Sequence, residues 1–305
     1  MTTTSWQGRT AVITGAASGF GLETSLLAAR LGLNVVMADV MMEALGEAVA
    51  QVQALGAQVL SLRCDVRHAA DIEAMGAATL ARFGAPHLVF NNAGVGAGGL
   101  IWEHTTRDWE WVMGVNVMGV AHGVRVFTPM MLAAEKADPG YSGHIVNTAS
   151  MAGLVNMPNM GVYNVSKHAV VSLSETLYQD LRLVSDRVHA HVLCPYFVPT
   201  GIAHSERARP QDAQEEGRKA TTSQRVAQGL IEKAVAGGRV TAADVAQFVF
   251  DALEADRFYI YSHPKALGSV QTRLEDIVQA RNPSDPFAGR PEIGAELRAA
   301  LRAER

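Results

Sequence analysis

The stretch Thr10-Ala11-Val12-Ile13-Thr14-Gly15-Ala16-Ala17-Ser18-Gly19-Phe20-Gly21 decides the fold that this chain can adopt. A short apolar run leads into a glycine-rich turn, and a helical pattern follows from about Leu22 to Leu31. Glycines at a strand-to-helix turn let the backbone approach a pyrophosphate, and the helix N-terminus offers free N–H groups to the anion. The spacing G-x-x-x-G-x-G differs from G-x-G-x-x-G, although it keeps the order of strand, turn and helix. Alone, it fits either a dinucleotide site or a helix-capping glycine turn.

A second apolar run, Asn34-Val35-Val36-Met37-Ala38, ends in Asp39. A carboxylate at the end of the second strand can accept hydrogen bonds from the adenosine ribose, and it repels a 2′-phosphate. No Arg or Lys follows directly, because the next residues are Val40-Met41-Met42. The pattern favours NAD over NADP. A helix N-cap is the alternative role for Asp39, and the two roles are compatible.

Short apolar runs alternate with helical patterns along most of the chain. Further strands are predicted at 58–62, 87–90, 144–147, 188–193 and 258–261. This alternation predicts a parallel sheet with right-handed crossovers. Polar or glycine-rich turns follow two of these strands, Asp65-Val66 after the third and Asn91-Asn92-Ala93-Gly94 after the fourth. Such turns belong to the crevice at the carboxyl edge of the sheet, or they are ordinary turns.

The most informative chemistry lies between Ser150 and Lys167, where Tyr163 precedes Lys167 by four residues. On a helix these two side chains lie one turn apart on the same face. A phenol has a pKa near 10, and a neighbouring ammonium favours its charged form, so the pair can form a general acid/base. Ser150 follows an apolar strand and falls at the same edge of the sheet. By itself, a Tyr–Lys pair at this spacing is more often an ordinary surface or half-buried pair.

The segment 108–127 is predicted to be helical and carries Asn116. A buried Asn needs hydrogen-bond partners, so Asn116 is either a functional group or a satisfied core amide.

Composition limits the class of protein. The chain has 305 residues, 48% of them hydrophobic and 18% charged, which suits one large α/β domain. A net charge of −4 gives no electrostatic case for nucleic acid or an anionic membrane as partner. The N-terminus is no signal peptide, and we find no run long and apolar enough to span a bilayer, so a soluble cytoplasmic protein is expected. Cys64 and Cys194 are expected to be buried thiols, and His189 and His191 to be core or surface residues, so no metal site is predicted.

Taken together, Thr14-Gly15-x-x-x-Gly19-x-Gly21, Asn91 to Gly94, Asn116, Ser150 and Tyr163-x-x-x-Lys167 resemble the short-chain dehydrogenase/reductase family. The resemblance covers roughly Gly8 to Tyr261. It implies a Rossmann-type, doubly wound α/β fold, with a seven-stranded parallel sheet and helices on both faces. We expect a single domain, with a core at about 8–261, an insertion at 201–238 and a helical tail at 265–305.

The resemblance also implies roles for individual residues. Tyr163 is the general acid/base, Ser150 positions the substrate oxygen, Lys167 holds the nicotinamide ribose and lowers the pKa of Tyr163, and Asn116 anchors a water relay. The residues implied in cofactor binding are Gly15, Ser18, Gly19, Phe20, Gly21, Asp39, Asp65, Val66, Asn92, Ala93, Gly94, Tyr163, Lys167, Pro195, Val198 and Thr200.

One departure from the family pattern concerns the substrate pocket. Relatives usually have Pro-Gly after the sixth strand, whereas this chain has Pro195-Tyr196. We expect an extra aromatic wall there, and an apolar pocket for an aryl or alicyclic substrate. Its predicted residues, which could also be ordinary packing residues, are Met151, Met157, Met160, Tyr196 and Phe197. The polar insertion is expected to be a mobile lid or a solvated loop, and the tail to cover the cleft or form subunit contacts.

The function predicted from these residues is NAD-dependent hydride transfer between nicotinamide and a secondary alcohol or ketone. NADP is the less favoured cofactor, and a homotetramer or dimer is the expected assembly. Two alternatives are an NAD-binding sensor without turnover and an NAD-dependent epimerase or dehydratase. The full set of Asn116, Ser150, Tyr163 and Lys167 argues against a sensor, and the glycine spacing and chain length argue against an epimerase.

Overall fold

The computed structural model describes residues 6–214 and 217–303. Its strands are β1 Thr10–Thr14, β2 Asn34–Asp39, β3 Val59–Arg63, β4 Leu88–Asn91, β5 Gly143–Thr148, β6 Val188–Cys194 and β7 Tyr259–Tyr261. The α-helices are α1 Gly19–Arg30, α2 Met42–Gln53, α3 Ala69–Phe83, α4 Thr106–Met113, α5 Gly119–Ala137, α6 Gly161–Val184, α7 Thr222–Ala236, α8 Ala242–Glu254, α9 Gly268–Val278 and α10 Pro291–Arg302.

The strands form one parallel sheet in the order β3-β2-β1-β4-β5-β6-β7. The chain reverses its direction of winding between β1 and β4, because β2 and β3 lie on one side of β1 and the later strands on the other. Ligands of open α/β sheets bind at such a switch point, beyond the carboxyl ends of the strands. The predicted seven-stranded doubly wound fold is confirmed.

Two layers of helices cover the sheet, because successive side chains of a strand point to opposite faces. Ala11 and Ile13 of β1 pack with α1, α2 and α8 on one face. Val12 belongs to the other face, where α3, α4, α5 and α6 pack. Both faces are apolar, which explains why β1 reads as a continuous apolar run rather than an alternating one.

The predicted helix 108–127 is part of a longer helical segment of three pieces. A π-helical turn, Gly114–Met118, joins α4 to α5 and contains the buried Asn116. The whole segment, Thr106–Ala137, is long and apolar enough to cross a membrane by length and composition, so our expectation that no such run exists is wrong. A third of its most apolar stretch is buried, and core helices of globular proteins meet the same criterion.

The insertion (201–238) is more ordered than the sequence predicts. It begins with the 3-10 turns Gly201–Ala208 and Gln211–Ala213 and continues into α7. Thr221 caps α7 through a reciprocal pair of hydrogen bonds with Gln224, so this helix has a well-defined start. The alternative of a solvated loop is therefore wrong for its described residues.

The helical tail contacts the insertion. Helix α10 packs against α7, and its Leu297 is buried. No described residue after Val235 lines the large cleft presented below. The alternative in which the tail covers the cleft is therefore wrong for its described residues, and α10 packs against α7 instead.

Candidate active site

A cleft of about 1170 Å³ opens at the carboxyl ends of the strands. The turns after β1, β2, β3, β4, β5 and β6 all line it, and the insertion forms its opposite wall. The volume exceeds that of a typical small-molecule pocket, so the cleft can hold a dinucleotide and a second ligand together.

The glycine turn after β1 lets a ligand approach the backbone closely. Gly15 and Gly19 have positive φ angles, +65° and +56°, which favour glycine. Helix α1 starts directly at Gly19, earlier than predicted, and has neither a side-chain cap nor an acidic residue in its first turn. Its first N–H groups are therefore available to an anionic ligand.

Gly21 differs from the other two glycines because it does not line the cleft. A Cβ atom there would lie 2.1 Å from the carbonyl oxygen of Gly15. Its missing side chain lets α1 pack onto the turn.

Asp39 stands at the end of β2 with its carboxylate fixed. Its two oxygens accept hydrogen bonds from the backbone N–H groups of Ala17 and Met41, at 3.1 and 2.9 Å. It lines the cleft beside the glycine turn, as predicted for a ribose ligand. Arg63 pairs with Asp39 in the strand register and also lines the cleft. Arg63 was not predicted, because it lies on the neighbouring strand β3 and not directly after Asp39 in the sequence.

Thr14 fixes the turn after β4 against the glycine turn. Its hydroxyl accepts hydrogen bonds from the backbone N–H groups of Asn92 and Ala93, at 2.9 and 3.1 Å. The side chain of Asn92 donates to the carbonyl of Thr14 at 3.0 Å. These contacts place Asn92, Ala93 and Gly94 along one wall of the cleft, as predicted.

Ser150, Tyr163 and Lys167 lie together on the floor of the cleft. Tyr163 and Lys167 are one turn apart on α6, and the Lys167 ammonium lies 5.7 Å from the centroid of the Tyr163 ring. The ammonium donates to the carbonyl oxygen of Thr148 at 2.9 Å. Ser150 begins a 3-10 turn and accepts from the N–H of Ala152 at 3.1 Å, which holds its hydroxyl in place.

The pKa of Tyr163 differs from the sequence expectation. Burial raises the pKa of Tyr163, and the hydrogen bond with Ser150 opposes that rise without cancelling it. Burial also lowers the pKa of Lys167 to about 8. The expected lowering of the Tyr163 pKa by Lys167 is therefore absent, because the buried ammonium is directed at Thr148 rather than at the phenol oxygen.

The side chain of Asn116 is fully engaged within the core. Its amide nitrogen donates to the carbonyl of Val95 and to the hydroxyl of Ser166, both at 3.0 Å, and its oxygen accepts from the Val95 N–H at 2.8 Å. It does not line the cleft. The side chain thus has the hydrogen bonds of a satisfied core amide, which was the alternative interpretation.

The predicted substrate residues Met151, Met157, Met160, Tyr196 and Phe197 all line the cleft. Tyr196 is 44% exposed, and its ring packs edge-on against Phe197 and His263. The aromatic wall expected after Pro195 is therefore present. Ile202 and Ile231 of the insertion also line the cleft, which the sequence analysis did not foresee.

Asp65 and Val66 line the cleft as predicted, but the Asp65 carboxylate is already paired. Arg67 binds both of its oxygens, the closest contact being 2.7 Å, and also bridges to Asp212 of the insertion at 3.2 Å. Burial alone would raise the pKa of Asp65, but the hydrogen bonds from Arg67 outweigh it and hold that pKa below its ordinary value. Asp65 is therefore an ionised anchor for Arg67 rather than a free acceptor.

A second charged cluster, which the sequence analysis missed, ties the insertion to α4. The buried Asp108 accepts from Arg209 at 2.7 Å and from Arg218 at 2.6 Å. The Arg209 guanidinium also lies 4.7 Å from the centroid of the Trp111 ring. Burial favours protonated Asp108, but the two arginines outweigh it and keep its pKa below the ordinary value. Sequence separations above 100 residues hid this cluster.

The remaining predicted residues lie where expected. Ser18, Phe20, Pro195, Val198 and Thr200 all line the cleft. Among the described residues, no group of three His, Cys, Asp or Glu side chains is arranged to hold a metal ion. Both cysteines are buried, and burial raises the pKa of Cys64 and Cys194 to about 12 each.

Comparison with known proteins gives consistent matches. Residues 9–211 match the family model described as short chain dehydrogenase. The chain is 34% identical over 267 residues to a CLA biosynthesis dehydrogenase/reductase of Lactiplantibacillus plantarum, covering 87% of this chain and 92% of that protein. It is 34% identical over 275 residues to 1-deoxy-11-beta-hydroxypentalenate dehydrogenase of Streptomyces exfoliatus, covering 89% of each. A crystal structure of a short-chain dehydrogenase/reductase from Burkholderia phymatum in complex with NAD superposes with a TM-score of 0.90. It is 51% identical and covers 93% of this chain and 99% of that one.

Proposed function

Because the chain belongs to the short-chain dehydrogenase/reductase family, we propose that it transfers a hydride between NAD and a secondary alcohol or ketone. The observation that carries this proposal is the grouping of Ser150, Tyr163 and Lys167 on the floor of a cleft whose other half is a dinucleotide site.

The cleft residues fit NAD. The open N-terminus of α1 and the glycine turn would hold the pyrophosphate, and the fixed carboxylate of Asp39 would accept the ribose hydroxyls. Asn92 to Gly94 and the segment from Val198 to Thr200 would flank the nicotinamide half. The NAD complex of the Burkholderia phymatum relative supports the same cofactor here.

When bound, NAD supplies the hydride acceptor and a positive charge beside the phenol. Tyr163 then accepts the hydroxyl proton of the alcohol as its carbon gives up the hydride, and Ser150 donates a hydrogen bond to the same oxygen. The burial that raises the pKa of Tyr163 makes nearby positive charge necessary for the phenolate. Because the Lys167 ammonium is directed at Thr148, bound NAD would supply that charge. Lys167, with a pKa of about 8, is protonated at neutral pH and can still release a proton.

We propose an apolar, alicyclic or aryl substrate. Met151, Met157 and Met160 line the cleft next to the catalytic groups, and Tyr196 and Phe197 close one side. Methionine side chains adapt to irregular apolar shapes. The dehydrogenase from Streptomyces exfoliatus, which is named for an alicyclic hydroxy acid, supports the alicyclic part of the proposal.

The test is the absorbance of reduced nicotinamide, followed with purified protein, NAD or NADP, and matched panels of alicyclic, aryl and small polar alcohols and ketones. We expect the absorbance to change when NAD is combined with alicyclic or aryl compounds, and to change little when NADP replaces NAD. NADP belongs in the panel because Arg63 lies across from Asp39. Preferred use of NADP would contradict the role of Asp39, and preferred use of small polar alcohols would contradict the proposed pocket.

We further propose that the protein is located in the cytoplasm and that it forms a homo-oligomer, a tetramer or a dimer, as the family resemblance implies. Light scattering on the eluting protein tests the assembly, and a monomer at micromolar concentration would contradict it.

A further inference from the structure

Arg207, on the first 3-10 turn of the insertion, reaches back to the glycine turn. Its guanidinium nitrogen lies 3.5 Å from the hydroxyl oxygen of Ser18. Ser18 is the residue before α1, and its side chain makes no cap hydrogen bond with that helix. A cation from the insertion thus stands at the open N-terminus of α1.

The absence of a side chain at Gly201 leaves room for the Arg207 guanidinium beside Ser18. A Cβ atom on Gly201 would lie 2.2 Å from the terminal nitrogen of Arg207. A Cβ atom on Gly19 would lie 3.4 Å from the side chain of Thr200, so the insertion and the glycine turn meet closely. The glycine at 201 therefore allows the arginine to fold back across the start of the insertion and over the cleft.

The charge of Arg207 is not neutralised by a carboxylate. In residues 6–214 and 217–303 no ion pair involves Arg207, whereas its neighbour Arg209 binds Asp108 and Glu206. Arg207 lines the cleft and is exposed. A free guanidinium beside unsatisfied helix N–H groups forms a site with a strong preference for a phosphate-type anion.

We propose that Arg207 binds the pyrophosphate of the dinucleotide and thereby couples the insertion to cofactor binding. The proposal rests on the cofactor of the proposed function. It adds a charged side chain that lies 189 residues after Ser18 of the glycine turn. The phosphates then hold the start of the insertion against Ser18.

The test compares Arg207→Gln, which removes the charge, with Arg207→Lys, which keeps it. Lys219→Gln is the matched control, because Lys219 is an exposed cation of the same insertion that does not line the cleft. Dissociation constants are measured by calorimetry for NAD, ADP-ribose and adenosine. We expect Arg207→Gln to weaken the binding of NAD and of ADP-ribose about tenfold, which corresponds to the loss of one charge-assisted hydrogen bond. The dissociation constant for adenosine should stay within twofold of the parent value. Arg207→Lys should recover part of the loss, and Lys219→Gln should match the parent.

Hydrogen exchange of a peptide covering residues 201–214 gives a second measurement that needs no turnover. ADP-ribose should slow hydrogen exchange in the parent protein and in Lys219→Gln, and it should do so much less in Arg207→Gln. Adenosine should not slow exchange in any of the three proteins. Unchanged ADP-ribose affinity in Arg207→Gln, or an equal loss for adenosine, would overturn the inference while leaving the proposed function intact. If the parent protein binds neither NAD nor ADP-ribose, the proposal that NAD is its cofactor is wrong.

Discussion

At the scale of single residues, the site depends on where side chains are absent as much as on where they are present. Because Gly15 has no side chain, the turn after β1 can pack against the turn after β4. A Cβ atom on Gly15 would lie 2.9 Å from the Cα of Ala93. Gly21 lets α1 start directly on the turn. Neither glycine contributes a functional group, yet both determine whether N–H groups can face a bound anion.

Gly21→Ala should therefore destabilise the protein and weaken NAD binding. The added methyl group meets a backbone carbonyl at 2.1 Å, and overpacking of this kind costs about 1–3 kcal/mol. Urea denaturation and a dissociation constant for NAD measure the two effects.

Gly46→Ala is the control, because Gly46 lies within α2 and no atom lies within 4 Å of its Cβ position. There the same substitution should stabilise the protein by about 0.5–1 kcal/mol. Equal stability of the two variants would contradict the packing role of Gly21.

At the scale of secondary-structure elements, one buried carboxylate links α4 to the insertion. Asp108 also completes the N-terminal cap of α4 with Thr105, so the same side chain stabilises a helix and holds two arginines. Because the contacts join residues that are about a hundred positions apart, they hold the insertion over the cleft rather than stabilising it locally.

Asp108→Asn should loosen the insertion, because it removes the buried negative charge that Arg209 and Arg218 share. Breaking a buried ion pair on one side typically costs about 3–5 kcal/mol, and the partly exposed arginines place this case at the lower end. The measurement is hydrogen exchange in residues 201–214, which should become faster, with a higher KM for substrate.

Glu206→Gln removes a different partner of Arg209, one whose side chain is 72% exposed. Surface pairs contribute about 0–1 kcal/mol, so this variant should behave like the parent protein. Identical exchange in the two variants would show that Asp108 does not hold the insertion.

The same elements show what the sequence could predict and what it could not. The strands were predicted to within one or two residues, because apolar runs that end in polar or glycine-rich turns are a local signal. The pair Tyr163 and Lys167 was placed on one helical face from spacing alone, and the structure confirms it. The turns and the helix of the insertion were not predicted, because its polar residues bind distant partners, as Arg209 binds Asp108. The π-helical turn at Asn116 has no pattern in a single sequence, since it depends on contacts with Val95 and Ser166.

At the scale of the whole molecule, three histidines lie together on the neighbouring strands β5 and β6. His144 and His191 are buried and hydrogen-bonded to each other at 3.1 Å, and His191 also contacts the carbonyl of Arg257 at 2.9 Å. His189 stacks on His144 and pairs with Asp256 at 3.0 Å. Burial lowers the pKa of His191 to about 4 and that of His144 well below its ordinary value.

The stability of the protein should therefore fall as the pH falls from about 6.5 towards 4. In this range the unfolded chain binds protons at His144 and His191 while the folded protein keeps both neutral, so acid favours unfolding. Each histidine contributes a slope of up to about 1.4 kcal/mol per pH unit. Urea denaturation at several pH values measures the free energy of unfolding.

His191→Gln should show a shallower pH dependence, although it is less stable at neutral pH because it loses two buried hydrogen bonds. His204→Gln is the control, since His204 is 64% exposed and lies in the insertion. A slope in His191→Gln as steep as that of the parent protein would assign the acid sensitivity to other groups.

The central claim is that Tyr163 exchanges the substrate proton in a site that binds NAD, and one variant tests it most directly. The measurement is the steady-state rate of NAD reduction by Tyr163→Phe, taken beside its dissociation constant for NAD. We predict a loss of turnover of at least about a hundredfold, as expected for removal of a general acid/base, with NAD affinity within a few-fold of the parent value. Near-normal turnover in Tyr163→Phe would contradict the assignment.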